Sequence, residues 1–329
     1  MARMMLAWYP YMPGERNSPE IERLIADAVE RTVRPLLAEV AQLKKAAEVT
    51  KALAGIYQTF RLAFFKGQSD PLAFPNVDYL VAWALVQDIG FVRFDRQKNR
   101  VVLRKDGITV ATDAYFYILV ELYGKGEYES ARELLRRPFV LYDLGMNRGY
   151  ASLWFANLPD CRAVYGFELV ESTYRFALDN FALNPRLAEK IQAFCVGLGG
   201  DNRKIDLLYE EATDGVATLL PEFYDRYWTA ERKQRALRKT VEIRKASEAL
   251  ASLPRCTHGE MRVLKIDVEG AEYEILAELA GAGALDFDVI VAEAHLGLDR
   301  LLALVPGYRV VNEVRHSEQM ANVTLVRGQ

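Results

Sequence analysis

The stretch Phe139-Val-Leu-Tyr-Asp-Leu-Gly-Met-Asn-Arg-Gly149 decides how this chain folds. Residues 139–144 read as a buried strand, and the glycines at 145 and 149 read as a tight turn that opens a helix at Tyr150. A short apolar strand that runs through a glycine turn into a helix is the building unit of a parallel α/β sheet. The unit repeats downstream. Residues 162–168 are predicted as a second strand and 172–181 as a second helix. Residues 191–197 read as a third strand and 263–267 as a fourth, followed by a helix over 271–280. A fifth strand is expected at 287–293, and strands at 308–313 and 322–326 close the chain as a hairpin. The expected architecture is a Rossmann-like α/β sheet, mostly parallel, with the hairpin adding an antiparallel edge strand.

Upstream of Pro138 the pattern differs. Residues 90–95, 100–104 and 108–112 look like short antiparallel strands punctuated by Gln97-Lys-Asn and Asp106-Gly107. Residues 113–136 read as helix. Further back, Ser18-Pro19-Glu20 is a good helix start, and apolar residues then recur at helical spacing to about residue 65, with a kink expected at Pro35. The expected division is an N-terminal helical region over 1–75, suited to packing or to a homo-oligomeric arm, a small β element with its connecting helix over 76–137, and the main domain over 138–329. Inside the main domain, 201–260 interrupts the βα rhythm. Strands are expected at 204–209 and 240–244, with a charged helical insertion at about 210–240, its helix read over 225–239.

Composition sets the class. Of 329 residues, 51% are hydrophobic, enough for a sizeable core, and the net charge of −3 gives no general pull toward nucleic acid or anionic membrane. The three cysteines are odd in number and unpaired in spacing, which argues against a disulfide framework or a zinc site; Cys195 reads as a small core residue. No apolar run reaches the ~20 residues of a membrane span, and the first fifteen residues lack signal-peptide organisation. A reducing, cytoplasmic setting is expected.

Chemistry should gather at the carboxyl ends of the parallel strands. Gly145 and Gly149 allow backbone to approach a ligand, and the helix N-terminus beyond them presents N–H donors. Glu168 closes the second strand, where an acid accepts hydrogen bonds from both ribose hydroxyls of an adenosine. A pyrophosphate is disfavoured, because Asp143 precedes the first glycine and Asn147 stands where a dinucleotide site has its second. An acid there suits a cofactor bearing ammonium and sulfonium groups, as S-adenosylmethionine does, and weighs against a nicotinamide oxidoreductase. The fourth strand ends in Lys265-Ile-Asp-Val-Glu-Gly-Ala-Glu272, and Lys265, Asp267 and Glu269 share one face if the strand persists. The alternative for this block is a salt-bridged strand end with acids at a helix start.

Together Asp143-x-Gly145-x-Asn147-x-Gly149, Phe167-Glu168, Lys265-Ile-Asp-Val-Glu-Gly-Ala-Glu272 and Ala292-Glu-Ala-His295 resemble the FkbM-type methyltransferases over residues 138–327. Leu169 departs from the proline often found after the acid in that family. The resemblance implies a class I methyltransferase fold, S-adenosylmethionine as donor, and O-methylation of a small molecule, sugar or lipid-linked glycan. It assigns Asp143, Gly145, Asn147, Gly149 and Glu168 to the cofactor, and Asp267 and Glu269 to the reaction centre. His295 joins them as acid–base or substrate contact; His258 and His316 read as surface residues. Mg²⁺ on the carboxylates is compatible with the spacing and not demanded by it. Two other readings remain: a nucleic-acid methyltransferase using the basic run 232–239 beside Tyr224, Tyr227 and Trp228, and a non-catalytic Rossmann-like scaffold.

Overall fold

A computed structural model of the protein describes residues 80–328, apart from 81–86, 88, 96, 114–115, 125, 210–235 and 255. The chain divides into two compact units, Met1–Pro71 and Leu72–Gln329, and the described residues lie in the second. The expected N-terminal helix and most of the charged insertion fall outside the described residues.

Strands β1 (Gly90–Asp95), β2 (Arg100–Lys105) and β3 (Ile108–Thr112) form the expected antiparallel sheet. Its turns carry Asn99, Asp106 and Gly107 at φ of 51°, 50° and 83°. The stretch expected as one helix over 113–136 is broken. It gives α1 (Tyr117–Leu119), a π-helical turn over Val120–Gly124, and α2 (Glu129–Leu134). Gly124 and Gly126 are the cause, the second at a φ of 65° that ends a helix.

The main sheet begins at β4 (Phe139–Leu144), buried at every position, and continues through α3 (Tyr150–Ala156) to β5 (Cys161–Phe167). Helices α4 (Glu171–Ala182) and α5 (Pro185–Ala188) then lead to β6 (Ile191–Phe194). Asn180 and Asn184 tie these helices to the small sheet: Ala111 N–H donates to Asn180 Oδ1 at 2.7 Å and Thr109 N–H to Asn184 Oδ1 at 2.8 Å.

The third strand was expected to run through 197, but it stops at Phe194. Cys195 is exposed where the chain leaves the sheet, which corrects its expected place in the core. Beyond it, β7 (Gly197–Gly199), β8 (Arg203–Tyr209) and β9 (Leu237–Lys245) form a separate three-stranded sheet ordered β7-β9-β8. Leu237–Lys239, expected at the end of a helix, pair instead with Leu207–Tyr209.

After α6 (Ala246–Ala251), the chain returns as β10 (Met261–Ile266), α7 (Glu272–Gly281), β11 (Val289–Ala294), α8 (Leu298–Leu304), β12 (Tyr308–Arg315) and β13 (Ala321–Arg327). The seven-stranded order is β12-β13-β11-β10-β4-β5-β6. The sheet is α/β and mostly parallel. Only β13 runs antiparallel to its neighbours, and it lies one place in from the edge strand β12. From β4 the chain first builds outward to β5 and β6, then crosses back to lay β10 on the other side of β4. That reversal makes the β4–β10 seam the topological switch point, where open α/β sheets leave a crevice. Leu144, Leu264, Ile266, Ile290 and Ala294 pack there in one apolar cluster, each full burial of a large aliphatic side chain contributing about 1.5–3 kcal/mol. Among the described residues no helix is long and apolar enough to cross a membrane.

Candidate functional site

Two charges meet inside the switch point. Asp143 and Lys265 are direct partners across the parallel β4–β10 pairing, and both are buried. Lys265 Nζ stands 3.2 Å from Asp143 Oδ1 and 3.7 Å from Asp267 Oδ2, and donates to Gly145 O at 2.7 Å. Ser152 Oγ donates to Asp143 Oδ2 at 2.5 Å. Burial would strip the ammonium of its proton, but Asp143 and Asp267 hold its pKa above the usual lysine value. Asp143 and Lys265 thus balance one another beneath the glycine loop, and Lys265 ties the pair to the Gly145 carbonyl.

The glycine loop is locked from below. Gly145 has a φ of 78°, and a Cβ there would lie 1.8 Å from the carbonyl oxygen of Asp267. Gly149 has a φ of 77° and would drive a Cβ to 2.5 Å from the Phe181 ring. Asn147 is left-handed too, at 51°. Its N–H donates to Glu168 Oε2 at 2.9 Å, while Val170 N–H donates to Glu168 Oε1 at 2.8 Å. Thus the loop after β4 and the acid after β5 are joined by one hydrogen bond. Beneath them Arg148, 1% exposed, donates to Asp113 Oδ1 at 2.6 Å and lies over the Phe176 ring.

On the other side of the seam, β10 ends at Ile266, so the strand alternation expected to carry Lys265, Asp267 and Glu269 on one face stops short. A turn with Glu269 at φ 53° and Gly270 at 104° replaces it. That turn is held by Glu272, whose Oε1 accepts from Val268 N–H at 2.8 Å and Gly270 N–H at 3.2 Å. The same oxygen lies 2.9 Å from His295 Nδ1. His295 Nε2 is 3.7 Å from Glu269 Oε2 and 3.9 Å from Glu293 Oε1.

Crowded acids and a buried imidazole shift one another. Burial, with Asp267 and Glu272 nearby, pushes Glu269 up to about 8 against the pull of His295. Burial and Asp267 push Glu293 up to about 9. Burial alone would lower His295, but the Glu272 hydrogen bond and charge, with Glu269 and Asp267, raise it to about 11. So placed, His295 keeps a proton at neutral pH and is 2% exposed. Its imidazole lies among the carboxylates of Glu272, Glu269 and Glu293.

A cavity of about 470 Å³ lies beside β10, β11 and β13. Asp267, Glu293 and Lys265 line it from the sheet, Glu121 and Glu127 from the α1–α2 region, and Asn322 from β13. Asn322 Nδ2 donates to Glu127 Oε1 at 2.9 Å. His316, read as a surface residue, is exposed and sits on the cavity wall. The structure therefore groups the candidate residues in two sets: Asn147 and Glu168 on the β5 side, Asp267, Glu269 and His295 on the β11 side, with Gly145 packed against Asp267 between them. Sequence reasoning gave no site role to Lys265, Glu272, Glu293, Glu121 or Glu127. A lysine in the apolar run Val263-Leu-Lys-Ile was the one legible signal, because a buried lysine needs an acid opposite.

Residues 143–306 match the model of the methyltransferase FkbM domain. A curated relative, methyltransferase sdnD of Sordaria araneosa, is 29% identical over 176 residues, which span 49% of this chain and 67% of that one. Among solved structures, methyltransferase FkbM from Methylobacillus flagellatus is 14% identical at a TM-score of 0.36, covering 66% of this chain and 56% of its own. Ribosomal protein L11 methylase from Lactobacillus delbrueckii subsp. bulgaricus is 12% identical at a TM-score of 0.36, covering 62% and 77%. At these scores the architecture rests on the strand order itself.

Proposed function

The chain belongs to the FkbM methyltransferase family, and from that premise we propose that it moves the methyl group of S-adenosylmethionine to a hydroxyl oxygen of a small molecule, sugar or lipid-linked glycan. The observation that carries this reading is the cavity at the end of β10, with Asp267 shared between it and the switch point.

The donor's place is the crevice over β4 and β5. Glu168 is assigned to the ribose hydroxyls, and the loop from Gly145 to Gly149 lies against the methionine end. Asp143 contributes by fixing Lys265, and Lys265 by holding the Gly145 carbonyl. A sulfonium methyl is already activated, so these residues need chiefly to align donor and acceptor in line. The acceptor oxygen forms its bond to the methyl carbon as the carbon–sulfur bond breaks, and the hydroxyl proton leaves to a carboxylate. Asp267 is assigned as that base: its side chain is 32% exposed and lines the cavity. General-base help of this kind gives about 10²–10⁴-fold. Glu269 and His295 are positioning groups behind it.

A small hydroxylated acceptor is favoured over nucleic acid by charge. Asp267, Glu121 and Glu127 line one cavity with one lysine, and such a wall disfavours a phosphate backbone. In the described part of the basic run, Lys239 Nζ lies 2.8 Å from Glu171 and Arg238 3.8 Å from Asp206, so those charges are already engaged.

The test is transfer from methyl-labelled S-adenosylmethionine to a panel of sugars, polyols and phenols, beside tRNA and rRNA. The proposal expects label on a small-molecule oxygen and its loss in Asp267→Asn. Label confined to RNA overturns the acceptor class, and folded protein that binds no donor points to a scaffold.

A further inference from the structure

Glu272 is the first residue of α7 and is 0% exposed. Its Oε1 is crowded by the Val268 and Gly270 amides and by His295 Nδ1. Its second oxygen, Oε2, is buried with no hydrogen-bond partner. A carboxylate oxygen taken from water and given nothing in return is unfavourable to bury. Turn geometry does not account for it, because Oε1 alone holds the turn.

What surrounds that carboxylate has the chemistry of a ligand set. One donor atom from each of Asp267, Glu272 and His295 lies within 4.8 Å of the others. Two donors held at about 2.0–2.3 Å from one ion stand at most about 4.6 Å apart, so closure by a few tenths of an ångström suffices. On the far side of the imidazole, Nε2 faces Glu269 at 3.7 Å and Glu293 at 3.9 Å. Two members of the set are buried and Asp267 opens on the cavity, which gives an ion a way in.

From this geometry we infer that Asp267, Glu272 and His295 form a site for one divalent metal ion at the edge of the cavity. Carboxylates with one imidazole suit a cation of the Mn²⁺ class better than a thiophilic metal. The ion's use in the reaction, drawing the acceptor oxygen to the end of β10, rests on the methyl-transfer reading; the site itself does not.

The experiment uses the full chain, treated with chelator and titrated with MnCl₂ by calorimetry in two buffers of different ionisation heat. Free Mn²⁺ is followed by electron paramagnetic resonance. One ion per chain is expected, with affinity weakened by at least about tenfold in Asp267→Asn and in His295→Gln. Asp267 is partly exposed, so its variant should keep the wild-type melting temperature even where a change at the buried histidine does not. No saturable Mn²⁺ binding by folded wild type overturns the inference, as does binding undiminished in Asp267→Asn. S-adenosylhomocysteine is titrated in parallel. Its binding without Mn²⁺ binding removes the metal site alone, and Mn²⁺ binding without it removes the methyl-transfer reading alone.

Discussion

Lys265 Nζ and Asp143 Oδ1 stand 3.2 Å apart across the β4–β10 seam, both buried, and their pair closes the floor of the crevice. Breaking such a pair leaves one charge uncompensated in the interior. Lys265→Met is expected to cost about 3–5 kcal/mol, read from denaturant unfolding. The double change Asp143→Leu with Lys265→Met should recover part of that loss, because no charge is then stranded. Equal destabilisation by the single and double variants would show that the pair is not what the lysine supplies.

The glycine loop makes a sharper contrast. Gly145→Ala sets a Cβ 1.8 Å from a backbone oxygen at a φ of 78°, so it should destabilise by more than about 2 kcal/mol and disturb Asp267. Gly281 ends α7 without positive φ, and nothing lies within 4 Å of the place a Cβ would take there. Gly281→Ala should be neutral or stabilising by up to about 1 kcal/mol. Thermal unfolding of the two variants side by side checks both.

Why these features differed in legibility follows from where their causes lie. The βα units were readable because each apolar strand stops at its own glycine or acid, as Phe139 to Gly145 does. The break at Cys195 was not, since no glycine or proline stands between Ile191 and Val196 and the division reflects which sheet each half joins. Asp143 and Glu168 were visible as acids at strand ends, but the register that sets Lys265 opposite Asp143 is a tertiary fact. Glu272 illustrates the same limit. Its motif was plain, while its burial beneath His295 depends on β11 lying beside β10.

The β7-β9-β8 sheet is pinned to α7 by Glu274, which accepts from Arg203 Nη1 at 2.6 Å and Nη2 at 2.9 Å and from Gly200 N–H at 2.6 Å. The Arg203 hydrogen bonds lower the Glu274 pKa more than its partial burial raises it. A depressed carboxylate contributes stability above its unfolded value and loses it as pH falls through the folded one. Glu274 is 40% exposed, so screening leaves about 0.5–1 kcal/mol. Glu274→Gln should show that deficit at pH 7, and the gap from wild type should close on acidification below the ordinary carboxylate range. A gap independent of pH would contradict the ion-pair origin.

The proposed methyl transfer depends most on the crevice over β4 and β5 holding the donor. Calorimetric titration of the full chain with S-adenosylmethionine and S-adenosylhomocysteine measures this, with Glu168→Gln as the comparison. That variant keeps an oxygen for one of the two amides that Glu168 binds, so melting temperature is recorded alongside. One site per chain is predicted, weakened about tenfold in Glu168→Gln, which is ~1.4 kcal/mol of lost charged hydrogen bonding to the ribose. Folded wild-type protein that binds neither ligand, or a variant that binds both as tightly as wild type, would contradict it.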